Sequence, residues 1–173
     1  MTSKLKPFVT ADRPSSTSTV TRSMILGSRA AHNDARWTEI CAALAALRAQ
    51  RRHSVRMVDA DCACGTLLIK AVRHARALGF TAIEGRGIDG SPAMIGRARV
   101  AAARLHEPAI GLTFEVADLI EALADEADVP ADIVLWHGSR ADDNRPGLRE
   151  SLAKAGDIVI GDRDLPRDRA RAA

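Results

Sequence analysis

Residues 55–66 read VRMVDADCACGT, and their order decides the fold. An apolar run ends at Asp59, small residues carry the chain to Gly65, and a helix-like pattern begins at Leu67. A strand, a tight loop and a helix in that succession form the place where open α/β sheets bind nucleoside cofactors. Asp61 and Ala63 stand where such loops usually have glycine, which supplies positive φ and close backbone approach to a ligand.

Working outward, the spacing predicts strands over 55–60, 82–89, 112–116, 133–136 and 157–160. Helices are predicted over 67–78, from Pro92 to about Leu105, over 119–127 and from Pro146 to about Ala153. Gly79 is placed to stop the first of these, while Ser91 and Pro92 are a natural helix start. Gly85 and Gly87 interrupt the second strand, and the fourth is apolar throughout, as expected of a strand covered on both faces. Upstream, Asn33 or Asp34 is expected to cap a helix running to Gln50. It carries Trp37, Ile40, Cys41, Leu44 and Leu47 on one side and a cationic last turn. That helix is expected to pack on the sheet rather than cover the cofactor cleft, although its stripe would also serve as a homodimer face.

Strands and helices alternating at these lengths imply an α/β fold: a doubly wound, mostly parallel sheet with helices on both faces. The domain is expected to span 24–165. A Ser-, Thr- and Pro-rich segment, 1–23, is expected to be disordered, and a charged tail, 166–173, to be frayed.

Composition narrows the function classes. The chain has 173 residues and 46% hydrophobic content, enough for one substantial core. A net charge of +3 with both signs interspersed makes nucleic acid an improbable partner. Aromatics at 3%, with no Tyr, leave little for stacking on single-stranded bases. No apolar run reaches the ~20 residues that cross a bilayer, so no membrane partner is expected. Cys41, Cys62 and Cys64 are an odd, sparse set, pointing to a reducing, cytoplasmic setting and not to disulfides or a metal site. Cys62 and Cys64 are expected to be small residues packed beneath the turn.

Three carboxylates, Asp59, Asp89 and Asp118, fall at or just after strands. In a parallel sheet all strand carboxyl ends share one edge, so these side chains should converge on one crevice. Asp89 is spaced from the loop where an acid grips ribose hydroxyls, and charge-assisted hydrogen bonds make that grip strong. Asp118 is positioned to accept from an adenine amino group, with the Leu119 backbone as donor. For any one of them alone, capping a strand end is an equal alternative, but three in register argue for a shared site.

The pattern from 55 to 162 resembles the class I S-adenosylmethionine-dependent methyltransferases. Their first motif, an apolar strand, an acid and a GxGxG loop, corresponds to MVDADCACG ending at Gly65. Their second acid corresponds to Asp89 in GIDGSPAMIGRAR, and their third to Asp118 in FEVADL. ADIVLWHG and LAKAGDIVIGD are similar to the fourth and fifth strands. The resemblance implies a methyltransferase whose S-adenosylmethionine is held by Asp59, Asp61, Ala63, Gly65, Asp89, Gly90, Met94, Asp118, Leu119 and Trp136. Met94 would lie against adenine, and Trp136 would line the pocket. His137 is the candidate base towards a small-molecule acceptor, against the plainer reading of a surface histidine that ends a strand. Asp142, Asp143 and Asn144 are candidate substrate contacts, although a polar turn before Pro146 explains them equally well. No DPPY-type motif follows the fourth strand, which argues against methylation of DNA bases by that route.

The chain departs from the family in two places. Only Gly65 remains of the loop glycines. Asp61 would repel a dinucleotide's pyrophosphate, whereas S-adenosylmethionine brings an ammonium and a sulfonium, so electrostatics favours the methyl donor over NAD. Only a short charged segment follows Ile160, and the antiparallel hairpin that usually completes the sheet is expected to be missing. Three readings follow: a methyltransferase, a non-catalytic cofactor-binding or interaction protein that kept the fold, and, least favoured, an NAD-dependent reductase. A second copy or another partner completing the site fits the first two.

Overall fold

A computed structural model describes residue 31 and residues 33–137 and 146–161. The expectations for 1–23, for Asp142, Asp143 and Asn144 and for the tail lie outside these residues. Among the described residues five helices and five strands alternate: α1 (Trp37–Ala49), β1 (Ser54–Ala60), α2 (Thr66–Ala77), β2 (Ala82–Asp89), α3 (Pro92–Ala102), β3 (Ile110–Val116), α4 (Leu119–Glu126), β4 (Ala131–Trp136), α5 (Leu148–Ala155) and β5 (Gly156–Gly161). The strands form one sheet in the order β3-β2-β1-β4-β5, and every pairing is parallel. This is the doubly wound, Rossmann-like order, in which the chain reverses its direction of travel between β1 and β4. No described helix is long and apolar enough to cross a membrane.

Alternation along the strands divides the core into two layers. Met57, Ile133 and Leu135 face α1, α2 and α3, meeting Ile40, Leu44, Leu68, Val72 and Ile95. Val58, Ile88, Val134 and Trp136 face α4 and α5, meeting Leu123, Leu148 and Leu152. Period-two strands between period-3.6 helices thus place helices on both sheet faces, as the sequence implies.

Element ends show where local chemistry overrides periodicity. α1 starts at Trp37, later than expected, and the Asp34 side chain accepts from the Arg36 amide at 3.0 Å in the turn that leads into it. α3 stops at Ala102, short of Leu105, although Ser91 and Pro92 open it as expected. β3 begins two residues early, at Ile110. α5 begins at Leu148, because Gly147 turns the chain at φ +86° after Pro146. Gly79 closes α2 in the left-handed conformation.

The glycines of β2 have a packing cause. Gly85 pairs with Leu112 and Gly87 with Phe114, and those side chains lean across the space a Cβ would fill. An added Cβ would come within 2.6 Å of Leu112 and 2.4 Å of Phe114. On the opposite face Glu126 of α4 is fully buried between Arg56 of β1 and Arg86 of β2. Arg86 also pairs with Glu115 of β3, so one ion network ties α4 to three strands.

Candidate functional site

The carboxyl edge of the sheet carries the site, at the reversal between β1 and β4, where open α/β sheets form their ligand crevice. Asp59, paired in register with Leu135, is the penultimate residue of β1 and only 2% exposed. Asp89 closes β2 and is equally buried. The loop between β1 and α2 runs over both.

That loop adopts glycine-like backbone without the glycines. Asp61 has φ 68°, Ala63 φ 49° and Gly65 φ 70°, so all three positions of the motif are left-handed. A left-handed conformation costs a residue with a Cβ roughly 1–2 kcal/mol, less for Asp. The surroundings enforce it. Cys62 donates its amide to the Ile88 carbonyl at 2.8 Å, and Gly65 donates to the Cys62 carbonyl at 2.9 Å. The Ala63 amide donates to Asp89 Oδ2 at 3.0 Å. Asp89 Oδ1 accepts from the Ser91 amide at 2.7 Å, so one acid fixes both the loop and the start of α3. Cys62 is buried against Gly87 as the packed small residue expected. Burial, then the charges of Asp59, Asp89 and Asp61, push its thiol above the ordinary range.

Asp59 differs from Asp89 in its partners. Its Oδ1 is buried and accepts no hydrogen bond from the described residues. Desolvation pushes its carboxyl up to about 7; Arg36 opposes this, and Asp34, Asp61 and Asp89 reinforce it. Four carboxylates thus share one field.

Asp34 and Arg36 are the residues that sequence reasoning missed. Arg36 is 6% exposed, and it forks onto Asp34 through Nε and Nη2 at 2.9 Å each. Its Nη1 donates to the Trp136 carbonyl at 3.0 Å, pinning the start of α1 over the end of β4. Burial opposes ionisation of Asp34, but the Arg36 bonds outweigh it and hold the carboxyl below its usual range. The only signal was a charged pair immediately before an apolar helix. Further along α1, Ile40, Leu44 and Leu47 pack on the sheet as expected. Lys70 reinforces the docking: its Nζ lies 3.4 Å from the Trp37 ring centroid and donates to the Ala31 carbonyl.

The remaining candidates divide. His137 follows β4, half-buried, and its charge is felt by Asp34. Met94 is half-buried near the start of α3, and Gly90 is exposed with open space around it. Asp118 caps α4, its Oδ1 accepting from the Ile120 and Glu121 amides. Leu119 packs against the second core layer. Trp136 is 2% exposed with its ring in that same layer, and its contribution at the edge is its carbonyl. Two cavities, of about 510 and 490 Å³, lie elsewhere, at the amino ends of the strands near Arg52 and Asp132 and along β3 beside Arg99. Neither contains any of the clustered carboxylates.

No protein-family model matches the chain, and no curated protein matches it. Among solved structures it is similar to WbdD in complex with the kinase inhibitor LY294002, with a TM-score of 0.53 and 21% identity over 66% of this chain. A monomeric WbdD structure gives a TM-score of 0.52, again at 21% identity and covering 66% of this chain. The chain spans only 26% and 27% of those two proteins. A looser likeness, with a TM-score of 0.49 and 18% identity, is to magnesium protoporphyrin IX methyltransferase (ChlM) from Synechocystis PCC 6803 with bound SAM. It covers 86% of this chain and 64% of that one. At such identities the WbdD match establishes a shared Rossmann-like α/β fold.

Proposed function

We propose that this chain binds S-adenosylmethionine at the carboxyl edge of β1 and β2 and transfers its methyl group to a small-molecule acceptor. The observation that carries this reading is Asp59: a buried carboxylate oxygen without a donor, in a crevice that already holds Asp34, Asp61 and Asp89. Such a field favours a cationic ligand and disfavours a pyrophosphate. The residues present fit the methyl donor. Asp59 and Asp61 would hold its positive groups. Asp89, oriented by the Ala63 and Ser91 amides, is the acid that would accept from ribose hydroxyls. Met94 and the start of α4 at Asp118 and Leu119 would flank the adenine end.

When bound, the donor supplies an already activated methyl group on sulfur. What the chain adds is orientation, an entropic contribution that reaches several kcal/mol when reactants are well aligned. The Arg36 fork holds α1 against β4 and so fixes one wall. His137, just after β4, is the base assigned to take up a proton leaving the acceptor. Transfer of labelled methyl from S-adenosylmethionine to a panel of amines, phenols and carboxylates tests the reading. Turnover lost in His137→Ala with binding retained supports it; binding without turnover on any acceptor favours the non-catalytic alternative.

A further inference from the structure

We propose that the crevice exchanges a proton for a cation: Asp59 is a neutral carboxylic acid in the empty protein and ionises when a positive ligand group docks beside it. The inference rests on the S-adenosylmethionine reading above. Its basis is the contrast between two buried acids at one edge. Asp89 accepts backbone N–H groups on both oxygens, whereas Asp59 Oδ1 accepts nothing from the described residues. An ionised oxygen buried without a donor is strongly disfavoured, and a proton removes the problem.

The groups facing Asp59 make the exchange selective for charge. From the segment before α1 come Asp34 and Arg36, from the loop Asp61, and from the end of β2 Asp89. The Cys62 thiol senses the same acids, and His137, after β4, is coupled to Asp34. Arg36 is the cation among the groups acting on Asp59, but its Nε and Nη2 are bound to Asp34 and its Nη1 to the Trp136 carbonyl. Among the charges acting on Asp59 its effect is the largest, and Asp34, Asp61 and Asp89 act against it. When a ligand cation arrives, the Asp59 O–H bond breaks, the proton passes to the buffer, and the ammonium or sulfonium becomes the counter-charge. No electrons are transferred.

The test is calorimetric titration of the full chain at about pH 6, repeated in buffers of different ionisation enthalpy, which counts protons released per ligand. S-adenosylmethionine is expected to release about one proton, falling towards none well above neutrality. 5′-Methylthioadenosine, which lacks both positive groups, is expected to release none, and Asp59→Asn to abolish the release seen with S-adenosylmethionine. Should that variant fail to fold, infrared difference spectra of the wild-type chain should show a carboxylic acid band disappearing as S-adenosylmethionine binds. S-adenosylmethionine binding with no proton release, or with unchanged release in Asp59→Asn, overturns the exchange and leaves the cofactor reading standing. Equal release with 5′-methylthioadenosine also overturns it. No binding of S-adenosylmethionine overturns both.

Discussion

Gly65 lies directly beneath Phe114: a Cβ built on Gly65 would sit 2.5 Å from Phe114 Cε1. The loop glycine that opens α2 is thus held down by an aromatic ring from β3, two strands away, and the same ring lies over Gly87 of β2. Gly65→Ala combines a left-handed φ of 70° with this overlap. It should destabilise the protein by roughly 2–4 kcal/mol in urea denaturation. Phe114→Leu in the same chain should recover part of the loss, because the two changes act on one contact.

Ala63 and Asp61 should respond in the opposite sense. Both are left-handed without being glycine, so Ala63→Gly should stabilise by about 0.5–1 kcal/mol after the entropic cost of glycine. Asp61→Gly should gain less, since Asp tolerates that conformation better. Thermal unfolding of the two variants side by side checks the order.

Glu126 should be the most sensitive charge outside the crevice. It is fully buried between Arg56 and Arg86, and Glu126→Ala would leave two guanidinium groups facing a cavity. A loss of roughly 3 kcal/mol is expected. Replacing all three residues with apolar side chains should cost much less, and chemical denaturation of both variants distinguishes the cases.

Stability should vary with pH in two windows of opposite sign. Asp59 has its folded pKa raised from 3.8 to about 7, so the native state holds the extra proton between those values. Stability from this group therefore falls as pH rises from about 4 to about 7, and Asp59→Asn should flatten that slope. Asp34 is lowered, so its contribution is present above its ordinary pKa and lost as pH falls further, into the range below about 4. Urea midpoints across pH, for the wild type and the two Asp→Asn variants, read both windows.

Much of this architecture was legible in the residues alone, and the reason is physical. Strand and helix periods are local, so the order of elements and the convergence of Asp59 and Asp89 on one edge follow from spacing. What escaped notice lies in pairings between distant elements, which no period encodes: Arg36 on the Trp136 carbonyl, Phe114 over Gly65, Glu126 between two arginines. A glycine pair inside a strand, Gly85 and Gly87, was the one available hint that a neighbouring side chain crosses the backbone. Asp118 shows the converse, since the same acid that suggested an adenine contact also caps the helix it precedes.

The acidic carboxyl edge should select a sulfonium nucleoside over a phosphate-bearing one. Titration calorimetry with S-adenosylmethionine and NAD, on the wild type and on Asp89→Ala, tests it most directly. Saturable binding of S-adenosylmethionine is expected, weakened by about 1–3 kcal/mol in the variant, with no heat from NAD. NAD binding, or no S-adenosylmethionine binding at millimolar concentration, would contradict it.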